Sequence, residues 1–595
     1  MSDAYQYKRL EAHDSFRLLK ISTTSSGTSS SLEYHYSLIH TTLNDAPTYE
    51  TLSYVWGTTK QDVYLTLVDR SSLLITDTLA DILPRIAHHC DTEYIWIDQV
   101  CIDQQNLEER GHQVSVMGSI YFNCAQVIVW LDVAGTTGPE TRMILEKCSF
   151  DMSILPPDLT QLKAHLRSIK YMSTRFDDAL YELYRVLACA WFSRAWVFQE
   201  VVLAPISKAV ISWPFPREES VTSLFELYWI INLVLNTCDF IFKDHTERHM
   251  VETRRHILDE MYRQWSQRHL VQEATDRISL ARLLSAVTSD AKTSLELDRL
   301  YAFFGLNSQP SIVLRPDYKL TFEQALIITV TDIIKGTLRL DIFRFIRGGW
   351  RGPSWVPDFG REQQVVPFRP TSAKVKIQLV PKPYLKAESG VIYLWTGCCD
   401  TKSLRVHGKI VDTIGDYIPW LGFLDSASSL KASVQSIITH IDAVPTDHLR
   451  ALGCMEQRVL SALNVGGWCD NTSDILPASS GASPDIEQEN GDKTVTMTNR
   501  RHWDKLEIES IDRTMLNRQL YTTQQGLFAT GTVLKKGDII CIIHGCSHSV
   551  ALRRTQKDKS KHLVLGTCYL EGWMDPWANG KIYWAEDEAD EFVLV

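Results

Sequence analysis

Residues Tyr94–Gln104 read YIWIDQVCIDQ, a short apolar strand that runs straight into two acids, Asp98 and Asp103, with Cys101 between them. A buried strand tolerates charge only where it surfaces or meets a partner, so this one reads as the edge of a pocket. Around it, strand and helix patterns alternate. Thr51–Trp56 and Val63–Val68 read as strands. Asp77–His89 reads as a helix, with Leu79, Ile82, Leu83 and Ile86 on one face and Asp77 as its N-cap. Glu108–Phe122 is helical, with Val114, Met117 and Tyr121 in line. Ala125–Leu131, AQVIVWL, is a continuous apolar run of the kind buried on both faces of a sheet. This alternation specifies a parallel α/β sheet.

The flanks carry other patterns. Phe16–Ile21 looks like a first strand, and Tyr34–Ile39 alternates as a hairpin partner across a Ser/Thr-rich loop. We therefore set residues 1–48 apart as an N-terminal hairpin or extension, and 49–210 as the α/β domain with an insertion at 135–176. Asp177–Val202 reads as one long helical stretch. Residues 211–365 read as a helical region, with stripes such as Leu280, Leu283, Leu284 and Phe322, Ala325, Leu326, Val330. Residues 366–595 turn to strands, as in VKIQLV, VIYLWTG and KIVDTI. Within them, 470–493 is acidic and rich in Ser, Gly and Pro, which predicts a disordered loop.

Bulk properties exclude several classes. The chain has 595 residues and a formal net charge of −11, with no long basic run, so nucleic acid is not an expected partner. The cysteines number 13, an odd count without the spacing of a secreted framework. The first residues lack the apolar core of a signal peptide, and the longest apolar run, Leu227–Leu235, is interrupted by Asn232. No membrane span is expected, and a reduced, cytoplasmic setting is. There is no Walker P-loop, GxSxG elbow or HExxH. Cys541, His544, Cys546 and His548 have the spacing of metal ligands, but they begin in an apolar strand whose neighbours point to opposite faces, so no metal is expected. Cys101 has no histidine base nearby in sequence and reads as a small buried hydrophobe.

Three blocks in order carry a resemblance: TLSYVWG (Thr51–Gly57), IWIDQVCIDQ followed by ERGHQVSVMGSIYFNCAQVIVWLD, and RAWVFQE (Arg194–Glu200). Together they resemble the HET domain, the heterokaryon-incompatibility module of filamentous fungi. Asp103 stands where the family usually has Asn, and Asp132 where it has Gly. DRLYAFFGL, RPDY and PSWVPDF resemble the helical portion of long HET proteins; GTVLKKGDIICIIHG and YLEGWMD resemble their C-terminal region.

HET domains in turn resemble TIR domains, which are flavodoxin-like and in several branches cleave NAD. The resemblance implies a flavodoxin-like, TIR-related parallel-sheet domain, then a helical region and a β-rich C-terminal region. It also implies a role in programmed cell death on non-self fusion. On that basis Glu200 is the catalytic carboxylate, with NAD as substrate and no bound cofactor. Trp56, Gly57, Asp98, Asp103, Arg194 and Trp196 are its substrate-binding residues. Trp196 and Glu200, four apart, share a helix face. Plainer readings stand beside these. Glu200 pairs with Arg194 or caps a turn; Trp196 and Trp56 are core; Asp98 and Asp103 cap local turns; Arg194 is structural or holds a phosphate. The rival function is a non-enzymatic module acting by self-association and sensing an allelic or non-self partner. A third is an enzyme on another small metabolite, with the insertion covering the pocket.

Overall fold

The computed structural model describes residues 4–25, 32–57, 61–133, 138–147, 176–213, 218–237, 245–269, 291–307, 311–346, 352–359, 403–419, 427–442, 518–532, 534–546, 548–571 and 589–595, with a few isolated positions besides. Most of the insertion and all of the acidic loop at 470–493 lie outside them. The chain divides into two compact units, Met1–Ala325 and Leu326–Val595.

The first unit is built on a seven-stranded sheet. Its strands are β1 (Ser15–Ser25), β2 (Leu32–Thr42), β3 (Glu50–Ser53), β6 (Tyr94–Trp96), β7 (Val127–Asp132), β8 (Ser207–Trp213) and β9 (Glu218–Ser223). Their order is β2-β1-β6-β3-β7-β8-β9. The four central strands, β6, β3, β7 and β8, are parallel. The sheet is nevertheless mixed, not the parallel sheet expected. The β1–β2 hairpin joins antiparallel at β6 and β9 joins antiparallel at β8, so the supposed N-terminal extension is part of the sheet. Among the parallel strands alone, numbered along the chain, the order is 2-1-3-4, and it reverses between β3 and β7. Open α/β sheets offer a crevice at the carboxyl ends of strands where the order reverses. Ser53 ends β3 at that place.

The inner strands are apolar throughout because both faces are covered: β3 is fully buried, and β7 is buried from Val127 to Leu131. Helix α1 (Asp77–His89) buries the expected stripe Leu79, Ile82, Leu83 and Ile86. Its cap differs from expectation. Thr76, not Asp77, takes the N-cap, and its hydroxyl accepts from the Leu79 N–H at 3.3 Å. Thr76 also ends β5 (Ser72–Thr76), which pairs with β4 (Gln61–Thr66) in a separate two-stranded sheet. After β6 come α2 (Asp98–Cys101) and α3 (Leu107–Asn123). Helix α4 (Pro139–Lys147) is the described part of the insertion's start, and α5 (Phe176–Leu187) follows.

The long helix expected over Asp177–Val202 is broken. After α5 a 3-10 turn, Ala190–Ser193, buries Trp191 and Phe192. Arg194 is extended and bridges Lys292, and α6 (Val197–Leu203) then begins. The backbone bonds from Lys292 N–H to the Ser193 carbonyl and from Ala195 N–H to the Lys292 carbonyl, the latter 3.1 Å, replace the helical ones. Helices α7 (Leu224–Thr237), α8 (His245–His269) and α9 (Asp298–Tyr301) complete this unit.

The second unit has an eight-stranded sheet drawn from Ile392–Tyr393, Leu404–Ile418 and six strands between Gln519 and Leu594. The Leu404–Ile418 strand pairs with both Gln519–Thr523 and Ile539–Ile543, so the sheet closes on itself. Val411, Ile414, Tyr521, Ile540, Ile542 and Leu570 fill it. Of the expected strands, VKIQLV lies outside the described residues and KIVDTI falls inside the long strand. Among the described residues no group of three His, Cys, Asp or Glu side chains is placed to hold a metal, and no helix is long and apolar enough to cross a membrane.

Candidate functional site

Three segments distant in sequence meet at the carboxyl end of β3. The first is β3 itself with Ser53, Tyr54 and Trp56. The second is α2 with Asp98. The third is the turn and helix that carry Trp191, Arg194 and Glu200. Ser53 donates its hydroxyl to Glu200 Oε2 and accepts the Trp191 indole N–H at 2.8 Å. Arg194 Nη1 donates to the Tyr54 carbonyl. The Trp56 indole N–H donates to Asp98, 2.9 Å from Oδ2 and 3.1 Å from Oδ1. The Gln99 N–H at 2.7 Å also binds Asp98 Oδ1, and the Gln104 side chain donates to the Asp98 carbonyl at 2.8 Å.

The site has a rim and a floor. Trp56, Asp98, Arg194 and Trp196 are partly accessible, whereas Glu200 is only 2% exposed and Ser53 1%. Burial pushes the Glu200 carboxyl up to about 7; the Arg194 guanidinium and the Ser53 hydroxyl oppose that rise, and Asp98 adds to it. Asp98 is also raised by burial, against the pull of Arg194 and the Trp56 and Gln99 N–H groups. Among the described residues Arg194 makes no direct ion pair with either carboxylate, so the pairing read as the plain alternative for Glu200 is absent and Arg194 acts at longer range. Tyr54 is buried beside them, its phenol oxygen without a partner among the described residues, and burial raises it well above the usual phenol range.

The other expected site residues are placed as follows. Trp196 precedes α6, and Glu200 N–H bonds to its carbonyl at 3.2 Å, so the four-residue spacing holds in the backbone. Its indole, however, serves Asp298, whose buried carboxyl also accepts the Tyr318 hydroxyl at 2.8 Å. Asp103 forms a local turn: its Oδ1 accepts from Gln105 N–H at 3.1 Å. Gly57 has φ +74°, and a Cβ there would collide with the Thr78 hydroxyl at the start of α1. Its freedom permits a close approach of the backbone to Thr78. Cys101 is fully buried, with its thiol pushed up to about 12 by burial.

Sequence reading missed the members that hold the site together. Ser53 sits within TLSYVWG, and a hydroxyl closing an apolar strand was the available signal. Arg17, fully buried on β1, forks onto Glu109 at 2.6 and 3.1 Å and donates to the Cys101 carbonyl at 3.0 Å. Glu109 also accepts the Asp103 N–H at 2.8 Å, so this pair pins the loop between α2 and α3 to the sheet. Other residues of the same helix block have comparable duties. Arg110 lies over the Tyr318 ring at 4.2 Å, Gln113 donates to the Ser15 carbonyl at 2.9 Å, and Tyr121 packs edge-on against Trp96.

Residues 49–200 match the family described as "Heterokaryon incompatibility protein (HET)". That span contains Ser53, Asp98, Trp191, Arg194 and Glu200. The chain is also similar to "Heterokaryon incompatibility protein 6, OR allele" of Neurospora crassa, with 25% identity over 398 residues. The aligned part covers 54% of this chain and 55% of the relative, so the chain spans about half the length of the curated relative it matches. No solved structure matches it. The ordered blocks and the family match agree that residues 49–200 are a HET domain, the heterokaryon-incompatibility module.

Proposed function

We propose that the chain acts in fungal heterokaryon incompatibility, and that its HET domain is a flavodoxin-like, TIR-related unit that hydrolyses the N-glycosidic bond of NAD. The 2-1-3-4 order of the parallel strands supports the fold part of this reading. The observation that carries the chemistry is Glu200: a buried carboxyl at the reversal point of the sheet, raised to about 7, with no cation bonded to it among the described residues. A buried charge without a direct partner is costly, and such groups cluster at functional sites.

In the reaction, the bond from ribose C1′ to the nicotinamide nitrogen breaks. Its electron pair leaves with the ring, which loses its positive charge, and the ribose carbon becomes oxocarbenium-like. The Glu200 carboxylate stabilises that cation. Water then bonds to C1′ and releases a proton, giving ADP-ribose. Asp98 and Trp56 line the accessible rim, where an acid and an aromatic face suit a pyridinium ring. Because the ionised carboxyl is the active form, turnover rises with pH through about 7. Glu200 lies at the floor of the site, closed over by its bond to Ser53 at the end of β3.

The same closure favours a second reading, in which Glu200 ties β3 to α6 in a non-enzymatic module that acts by self-association with an allelic or non-self partner. Incubating the purified chain with NAD, and following nicotinamide and ADP-ribose by chromatography, separates the two. The first reading expects turnover that Glu200→Ala abolishes. Cell death that survives Glu200→Ala, without NAD loss, establishes the second.

A further inference from the structure

Trp191, Ser53 and Glu200 form a chain of hydrogen bonds that runs toward the carboxyl group. An indole N–H only donates, and at 2.8 Å it occupies a lone pair of Ser53 Oγ. The single Ser53 proton then points at Glu200 Oε2. Trp191 is fully buried, and the other two are nearly so. A carboxylate oxygen accepts from such a donor more strongly than the oxygen of a neutral carboxyl, so the arrangement favours the ionised form.

We propose that the Trp191–Ser53 pair is a positioning device that fixes Glu200 as an acceptor and thereby sets the pH at which it ionises. The proposal deepens the glycohydrolase reading, yet the ionisation of Glu200 is measurable whether or not NAD is cleaved. The other groups facing Glu200 are Asp98 from α2, Arg194 before α6, Tyr54 after β3 and Tyr121 from α3. Burial keeps both tyrosines neutral at ordinary pH, so among the described residues Asp98 and Arg194 are the neighbours whose charge acts on Glu200. Neither donates to nor accepts from Ser53 or Trp191.

The test is an infrared titration of the full chain without NAD, following the protonated carboxyl band that disappears in Glu200→Gln. Ser53→Ala and the near-isosteric Ser53→Cys, a poor donor, are expected to raise the Glu200 midpoint by about one pH unit. Trp191→Phe, which frees the hydroxyl to turn away, should raise it by less. A midpoint in Ser53→Cys equal to wild type overturns the proposal, even if Ser53→Ala fails to fold. An unshifted Trp191→Phe removes Trp191 from it. Where NAD is cleaved, the acid limb of the pH–rate profile should move with the infrared midpoint.

Discussion

Glu109 and Glu200 are both carboxylates held against the same sheet, and they differ in what answers their charge. Glu109 receives both arms of the Arg17 guanidinium and a backbone N–H. Among the described residues Glu200 receives one hydroxyl, while Arg194, the guanidinium that acts on it, is bonded to a carbonyl. The first arrangement neutralises a charge and fastens a loop; the second leaves a charge that can appear or vanish near neutral pH. On the proposed reading the paired carboxylate serves structure and the adjustable one serves chemistry.

The largest effect is expected where the paired site is broken. Arg17→Met strands Glu109 beside the sheet and should cost about 3–5 kcal/mol in denaturant melts. Adding Glu109→Leu should recover much of that, because both polar partners are then gone. A mild effect from Arg17→Met alone would mean that Glu109 reaches water.

Glu200 should behave in the opposite sense. In the unfolded chain it ionises near 4.5, and in the folded protein near 7. Between those values the unfolded chain gives up a proton that the fold retains. The stability is therefore fully present below 4.5 and falls as pH rises to about 7, by on the order of 3 kcal/mol. Glu200→Gln should lack this fall, so that the variant gains on wild type between about pH 4.5 and about pH 7 in urea melts. A constant difference between the two proteins across that window would contradict the buried, uncompensated carboxyl.

Two smaller effects sharpen the contrast by touching only the scaffold. Gly57→Ala combines a positive φ with a collision at Thr78 and should cost roughly 1–3 kcal/mol. Thr76→Ala removes the α1 cap and should cost about 1 kcal/mol. Neither should move the Glu200 midpoint; a shift in either would show that the site is coupled to the start of α1.

Local pattern made much of the domain legible. The α3 boundaries, the α1 stripe and the buried β7 run follow from periodicity, because each is decided by residues a few positions apart. The blocks around Trp56, Asp98 and Arg194 also converge as sequence reading expected. What stayed hidden depends on distant partners. The Arg17–Glu109 tie joins residues 92 apart and the Ser53–Glu200 bond residues 147 apart, and neither leaves a spacing in the sequence. The helix break at Ala190–Ser193 is set by Lys292, likewise far along the chain. Trp196 and Glu200 share a helical spacing, yet their side chains serve different carboxyl sites, which spacing alone does not distinguish.

The most direct measurement is nicotinamide release from NAD by the purified chain at concentrations that permit self-association, with Glu200→Gln and Gly57→Ala assayed beside wild type per folded molecule. The account predicts turnover by wild type, near-wild-type turnover by the folded fraction of Gly57→Ala, and none by Glu200→Gln, although that variant is the more stable protein at pH 8. Turnover by Glu200→Gln equal to wild type, or none by any of the three, would contradict it.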